Sequence, residues 1–275
     1  MRTAFMYRIG LAILLGLSVP SVLHADDVEE GRAAIGAGDY VKAWRLLRPA
    51  AEQGNADAQN AVGALLLEGW GVTPDATAAA SWFRRAAERG HPRAQFNLGQ
   101  LYDAGRGVSR DYAAAAFWYR RSAEQGYAPG QSQLGSMYAL GEGVPQDWAE
   151  AMRWYRRAAD QGDPIAQYRI GFMYAEGQGV DKDHRQAHAW YRRSAEQGFP
   201  AALFSLGRVY ENGWGVTKSQ AEAFRWYREA AERGHGEAME VLARAYEGGL
   251  LGLSRDPGQA AYWHDRAREA KTKAR

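Results

Sequence analysis

One nine-residue phrase recurs five times at a fixed interval of 36 residues: WFRRAAERG at Trp82, WYRRSAEQG at Trp118, WYRRAADQG at Trp154, WYRRSAEQG at Trp190 and WYREAAERG at Trp226. The same period governs a GxGV element beginning at Gly69, Gly105, Gly141, Gly177 and Gly213, and a glycine at 54, 90, 126, 162, 198 and 234. It also governs an aspartate at 39, 75, 111, 147 and 183, with Ser219 next in the series. A period of this length marks a chain of stacked supersecondary units, none able to bury its apolar face alone.

The unit His91 to Gly126 shows how each repeat is built. Helix A follows Gly90, with Pro92 in the first turn, where its missing N–H costs nothing. Ala94, Leu98, Leu101 and Tyr102 then recur at helical spacing and form one apolar stripe. Gly105 and Gly107 end that helix and Val108 turns toward the core, before Asp111 caps helix B, which runs to Gly126. Asn55 and Asp163 are caps for helix A in other units. The pairs Asp147/Glu150, Asp183/Gln186 and Ser219/Glu222 resemble capping boxes at the start of helix B. Gly99, Gly135, Gly171 and Gly207 lie inside helix A at a cost of about 1 kcal/mol each relative to Ala. Close approach of a facing helix through Ala115 and Ala123, or Ala151 and Ala159, is expected to offset it, with Trp118 or Trp154 filling the space between neighbours.

The stretch AQFNLGQLYDAGRGVSRDYAAAAFWYRRSAEQG, Ala94 to Gly126, resembles the Sel-one-like repeat (SLR) of the tetratricopeptide superfamily. The resemblance covers five units over residues 55–234, a degenerate sixth with a capping helix over 235–275, and N-terminal capping helices over 26–54, where Asp39, Ala43, Leu46 and Gly54 keep the helix B pattern. In the last unit Ala243 replaces the helix A glycine and GGLLGL from Gly248 adds one residue, so that Trp263 follows Trp226 by 37. The closing KTKAR suits a polar cap. What the resemblance implies is an all-α, right-handed α-α superhelical solenoid of 36-residue helix-turn-helix repeats, acting as a non-enzymatic scaffold or adaptor that binds protein or peptide on its concave face.

Residues 1–25 are read as an export signal, with Arg2 and Arg8 ahead of the apolar run from Ile9 to Val19 and cleavage expected after Ala25. That run is too short for the roughly 20 residues of a membrane-spanning helix. An exported protein, periplasmic or secreted, is expected. The chain has no Cys, which excludes disulfides, zinc-thiolate sites, cysteine nucleophiles and a lipid anchor on cysteine. Of 34 basic and 32 acidic side chains, only Arg2 and Arg8 lie in the signal, leaving 32 against 32 and a net charge of zero. No basic excess argues for nucleic acid as a partner.

Several motifs have a bland reading that outweighs a chemical one. His184 and His188, four apart on helix B, cannot close a metal site by themselves, and no HExxH accompanies them. The GxGV glycines lack the lysine of a phosphate loop and serve as helix terminators. The arginine pairs 84/85, 120/121, 156/157 and 192/193 are expected to pair with Glu88, Glu124, Asp160 and Glu196, four residues after the first of each pair. No catalytic residue, metal or cofactor is expected.

The helix A positions off the apolar stripe are where the units stop agreeing. Asn97, Gln133, Arg169 and Ser205 occupy one slot, and Gln100, Ser136, Phe172 and Arg208 the next. In similar solenoids such positions face the groove, and Phe172 beside Arg169 and Arg208 forms an amphipathic patch suited to a peptide or acidic partner. Trp70 and Trp214, each between two glycines of a turn, are candidate exposed aromatic anchors, with folding back over the neighbouring unit as the alternative. Two other functions compete. One is a penicillin-binding or β-lactamase-like enzyme, known among cysteine-rich relatives; the other is peptidoglycan or glycan binding through Trp70, Phe172 and Trp214.

Overall fold

The computed structural model describes residues 25–273, so the expected export signal, residues 1–25, lies outside it but for Ala25. Among the described residues every element is an α-helix: α1 (Ala25–Gly36), α2 (Tyr40–Glu52), α3 (Ala56–Glu68), α4 (Ala76–Glu88), α5 (Pro92–Ala104), α6 (Tyr112–Glu124), α7 (Ala128–Leu140), α8 (Trp148–Asp160), α9 (Pro164–Glu176), α10 (His184–Glu196), α11 (Pro200–Asn212), α12 (Gln220–Glu232), α13 (Gly236–Gly248) and α14 (Pro257–Lys273). Each packs on its successor, so odd-numbered A helices and even-numbered B helices form hairpins that stack into a solenoid.

The punctuation is chemical. Asn55 and Asp163 accept from the N–H groups of Ala58 and Ala166 at 2.9 and 2.7 Å, while His91 and His235 do the same through Nδ1, to Ala94 at 3.0 Å and Ala238 at 3.3 Å. Each A helix from α3 to α13 ends on a left-handed glycine, as at Gly105 with φ 66°. The second glycine of the turn has a different duty. A methyl group on Gly107 would collide with the Ala76 carbonyl, and one on Gly143 with that of Tyr112, because each turn presses on the start of the preceding B helix.

The helix A glycines admit an aromatic ring rather than a bare helix backbone. A Cβ on Gly99, Gly135 or Gly171 would lie 2.7, 2.8 or 2.7 Å from the ring of Tyr119, Tyr155 or Tyr191, and Phe83 sits on Gly63 in the same way. These rings are almost wholly buried, and their B-helix alanines, such as Ala115 and Ala151, are fully so. The last hairpin explains its own exception. Leu251, the single non-glycine with positive φ among the described residues, absorbs the extra residue of GGLLGL, and His264 stands where four other units carry Tyr119, Tyr155, Tyr191 and Tyr227. His264 lies 3.0 Å from Glu247, just as the Tyr227 hydroxyl donates to Glu211 at 2.5 Å, while Ala243 stands where the other A helices carry the notch glycine.

The capping boxes are half made. Asp147, Asp183 and Ser219 cap with their side chains, but their own N–H groups donate to the carbonyls of Tyr138, Tyr174 and Tyr210 in the preceding A helix. No backbone donor is left for Glu150, which pairs instead with Arg153 at 2.6 Å.

Candidate functional site

The arginine pairs do something other than simple local ion pairing. Arg192 meets Glu196 at 3.0 Å, as expected, but Arg84 and Arg120 donate to the hydroxyls of Tyr102 and Tyr138 at 2.7 Å, and Arg156 to that of Tyr174 at 3.3 Å. The second arginines lie over aromatic rings: Arg85, Arg157 and Arg193 at 4.6, 4.6 and 4.5 Å from Trp82, Trp154 and Trp190. A tyrosine 18 residues downstream outcompetes the carboxylate because it is held by the core, whereas the exposed glutamates must be ordered at an entropic cost.

His184 and His188 are both packed. His184 stacks on Trp214, and His188 lies 3.3 Å from the Tyr210 hydroxyl with its pKa lowered, first by burial and then by Arg192. Among the described residues no three His, Cys, Asp or Glu side chains cluster as metal ligands would.

The off-stripe positions of the A helices separate into three groups. Ser136, Arg169 and Phe172 surround a cavity of about 270 Å³ between α7, α8 and α9. Phe172 also lines the next cavity, about 200 Å³, with Ser205, Arg208 and Trp214. Asn97 and Trp70 border a broader hollow near the N-terminal end. Gln100 and Gln133 line none of these. Asn97 is not free to bind, because its amide donates to Asn60 at 2.9 Å and ties α5 to α3. Ser136 is likewise engaged, accepting from the Tyr155 hydroxyl at 3.0 Å. Arg169 and Arg208 are exposed and, among the described residues, make no ion pair; each lies near a ring, Arg169 at 5.9 Å from Tyr168 and Arg208 at 5.3 Å from Trp214.

Both candidate aromatic anchors fold back over the preceding hairpin. Trp70 stacks on Tyr40 at 4.9 Å and 18° yet stays 39% exposed. Trp214 stacks on His184 at 5.7 Å and 11° and is half-buried, with Arg208 against it, the folded-back alternative of the two readings. Packing against a neighbour removes more of a large ring from water than projection into solvent does.

A buried amide ladder was missed. Gln95, Gln131 and Gln167 donate to Ala87, Ala123 and Ala159 carbonyls of the preceding B helix and accept from Gln125, Gln161 and Gln197, the last three contacts at 2.6, 2.8 and 2.8 Å. Glutamine at 59, 95, 131 and 167 was the available signal, a polar residue on the core side at the repeat period.

Helical hairpins joined by left-handed glycines and stacked ring into notch define an α-solenoid of the tetratricopeptide type. The chain belongs to the Sel1 repeat family: the Sel1 repeat model matches residues 29–55, 56–91, 92–127, 128–163, 164–199, 200–235 and 236–271. Members of this family are commonly protein-interaction scaffolds and are generally non-catalytic. A Sel1 repeat protein from Oxalobacter formigenes is 37% identical and superposes with a TM-score of 0.84, over 89% of this chain and 97% of that one. A protective antigen present in uropathogenic Escherichia coli strains, displaying an SLR fold, is 37% identical with a TM-score of 0.70; the match covers 88% of this chain and 53% of that chain, so this protein spans about half its length. An immunity protein from Pseudomonas aeruginosa, 22% identical with a TM-score of 0.55 over 78% of this chain and 81% of its own, shares the fold alone. No curated protein matches the chain.

Proposed function

We propose that this protein is an exported, non-enzymatic scaffold that binds a protein or peptide segment along the face formed by its A helices, the concave face of similar solenoids. The observation that carries this reading is the pair of adjoining cavities that share Phe172, at the positions where the repeats stop agreeing. Seven A helices spaced by about 10 Å present a surface on the order of 60 Å long, ample for an extended segment. Export rests on the charged start and apolar run of residues 1–25.

A photocrosslinking side chain placed at Gln133, on the A face, and another at Arg193, on a B helix, separates this reading from its rivals. Expected in intact cells is a crosslinked protein from position 133 and none from 193. Capture from 193 alone, or from neither, would overturn the A-face reading. Fractionation of the same cells reports export, and retention of the unprocessed chain in the cytoplasm would refute it.

A further inference from the structure

The A face is not uniform, and three positions contributed by two adjoining repeats, 128–163 and 164–199, stand out together. Phe172 stands where the other units carry Ala64, Gln100, Ser136, Arg208 and Arg244; Arg169 stands where they carry Ala61, Asn97, Gln133, Ser205 and Val241. Trp148 occupies the first position of a B helix that reads Tyr40, Ala76, Tyr112, His184 and Gln220 elsewhere. The structure brings these three together. They border the cavity of about 270 Å³, whose remaining walls are mostly apolar, including Met173 and Leu140.

Leu140 is 62% exposed, an apolar side chain left at the mouth of an apolar cavity. The hydroxyls inside already satisfy one another, since Tyr155 donates to Ser136 at 3.0 Å and Ser136 donates to the Ser132 carbonyl at 3.3 Å. Arg169 is the one charged residue on the lining, and it is exposed and makes no ion pair among the described residues. Arg48, Arg153, Arg192 and Arg228 each sit on a carboxylate, and Arg84 and Arg120 on a tyrosine hydroxyl, whereas Arg169, like Arg208 on the next cavity, has only a nearby ring among the described residues.

We infer that the cavity between α7, α8 and α9 anchors a peptide segment carrying an apolar side chain beside an aspartate or glutamate: the apolar side chain fills the space against Phe172, Trp148 and Met173, and the carboxylate pairs with Arg169. This rests on the A-face binding reading and specifies its ligand. At about 30 Å³ per water, the volume equals roughly nine waters, which one large side chain displaces. Arg169 stands exposed at the rim of the apolar space, so it selects by sign of charge: a carboxylate beside the buried apolar side chain meets an unpaired guanidinium, while a lysine or arginine meets an uncompensated like charge.

The test is selection of a displayed library of random octapeptides on the purified protein, repeated on Arg169→Glu and Phe172→Ala. Expected is enrichment of sequences with an apolar residue next to Asp or Glu. Arg169→Glu, at an exposed position, should weaken an enriched peptide by about tenfold, as the attraction is lost and a like-charge repulsion replaces it, and should itself select apolar residues next to Lys or Arg. Phe172→Ala should weaken the same peptide while keeping the preference for acid. Thermal unfolding of both variants confirms that they fold. Enrichment of basic or uncharged sequences, no enrichment, or identical selection by Arg169→Glu would each overturn the inference. If the partner crosslinked from Gln133 contacts this cavity through a segment without acid, the A-face reading stands and the acidic-anchor inference falls.

Discussion

Tyr155 rests its ring directly on Gly135, with 2.8 Å between the ring and the place a Cβ would occupy. The Ala151 carbonyl lies 3.2 Å from that same place, so an added methyl meets backbone on a second side. Gly135→Ala sets two effects against each other: up to about 1 kcal/mol of helix propensity gained against about 1–3 kcal/mol of overpacking. With the ring 1% exposed, overpacking wins. A net loss of about 1–2 kcal/mol is expected in urea unfolding. Combining it with Tyr155→Leu should cost less than the sum of the two single changes, because the collision is removed.

Alkaline stability follows from the same rings. The pKa values of Tyr119, Tyr155, Tyr191 and Tyr227 are all raised, first by burial, with Asp103 and Glu211 adding to the effect at Tyr119 and Tyr227. A raised pKa means the neutral phenol is favoured in the folded state. The stabilisation is complete below the unfolded value of about 10 and is lost as pH rises above it. Urea midpoints should hold steady up to about pH 9 and fall steeply beyond about pH 10, with tyrosinate absorbance appearing together with unfolding. Tyr227→Phe should flatten that fall.

His235 predicts a response at the acidic side. Its Nδ1 accepts from the Ala238 N–H, a role only neutral imidazole can fill, and burial lowers its pKa. Stability is therefore present above the unfolded value of about 6.5 and declines as pH drops through the folded one. His235→Asn keeps a cap but loses the stacking on Phe204 at 4.5 Å, so the variant should be slightly less stable at neutral pH. Its deficit should shrink or reverse near pH 5, read from thermal midpoints across the range.

Gly143→Ala tests the joint between hairpins. The residue has φ 68° and would drive a methyl into the Tyr112 carbonyl. Strain at positive φ of about 1 kcal/mol or more adds to that collision. Calorimetry should show a lower melting temperature and a broader transition as the two halves uncouple; an unchanged sharp transition would contradict the joint.

Hairpin boundaries were legible because the 36-residue period repeats every cap and terminator, and the structure keeps helix starts at Pro92, Pro164 and Pro200. What local spacing cannot show is the partner across the hairpin. Gly99 announces close packing without saying that Tyr119 fills it. Arg84 has a carboxylate four residues away and bonds a tyrosine 18 away. The candidate groove residues divide for the same reason: Arg169 and Arg208 remain without ion partners among the described residues, whereas Asn97 is consumed by Asn60 in the preceding unit, a contact visible only once the hairpins are stacked.

The pressure of each GxG turn on the helix before it also governs how such a molecule can change length. A lone inserted residue is accommodated in the turn between α13 and α14, where Leu251 takes up the positive φ. Upstream, each second turn glycine presses on the first residue of the preceding B helix, Tyr40, Ala76, Tyr112, Trp148 or His184, at the same register. Duplication or loss of a whole 36-residue module would therefore preserve every joint, letting the ruler be lengthened or shortened without being bent.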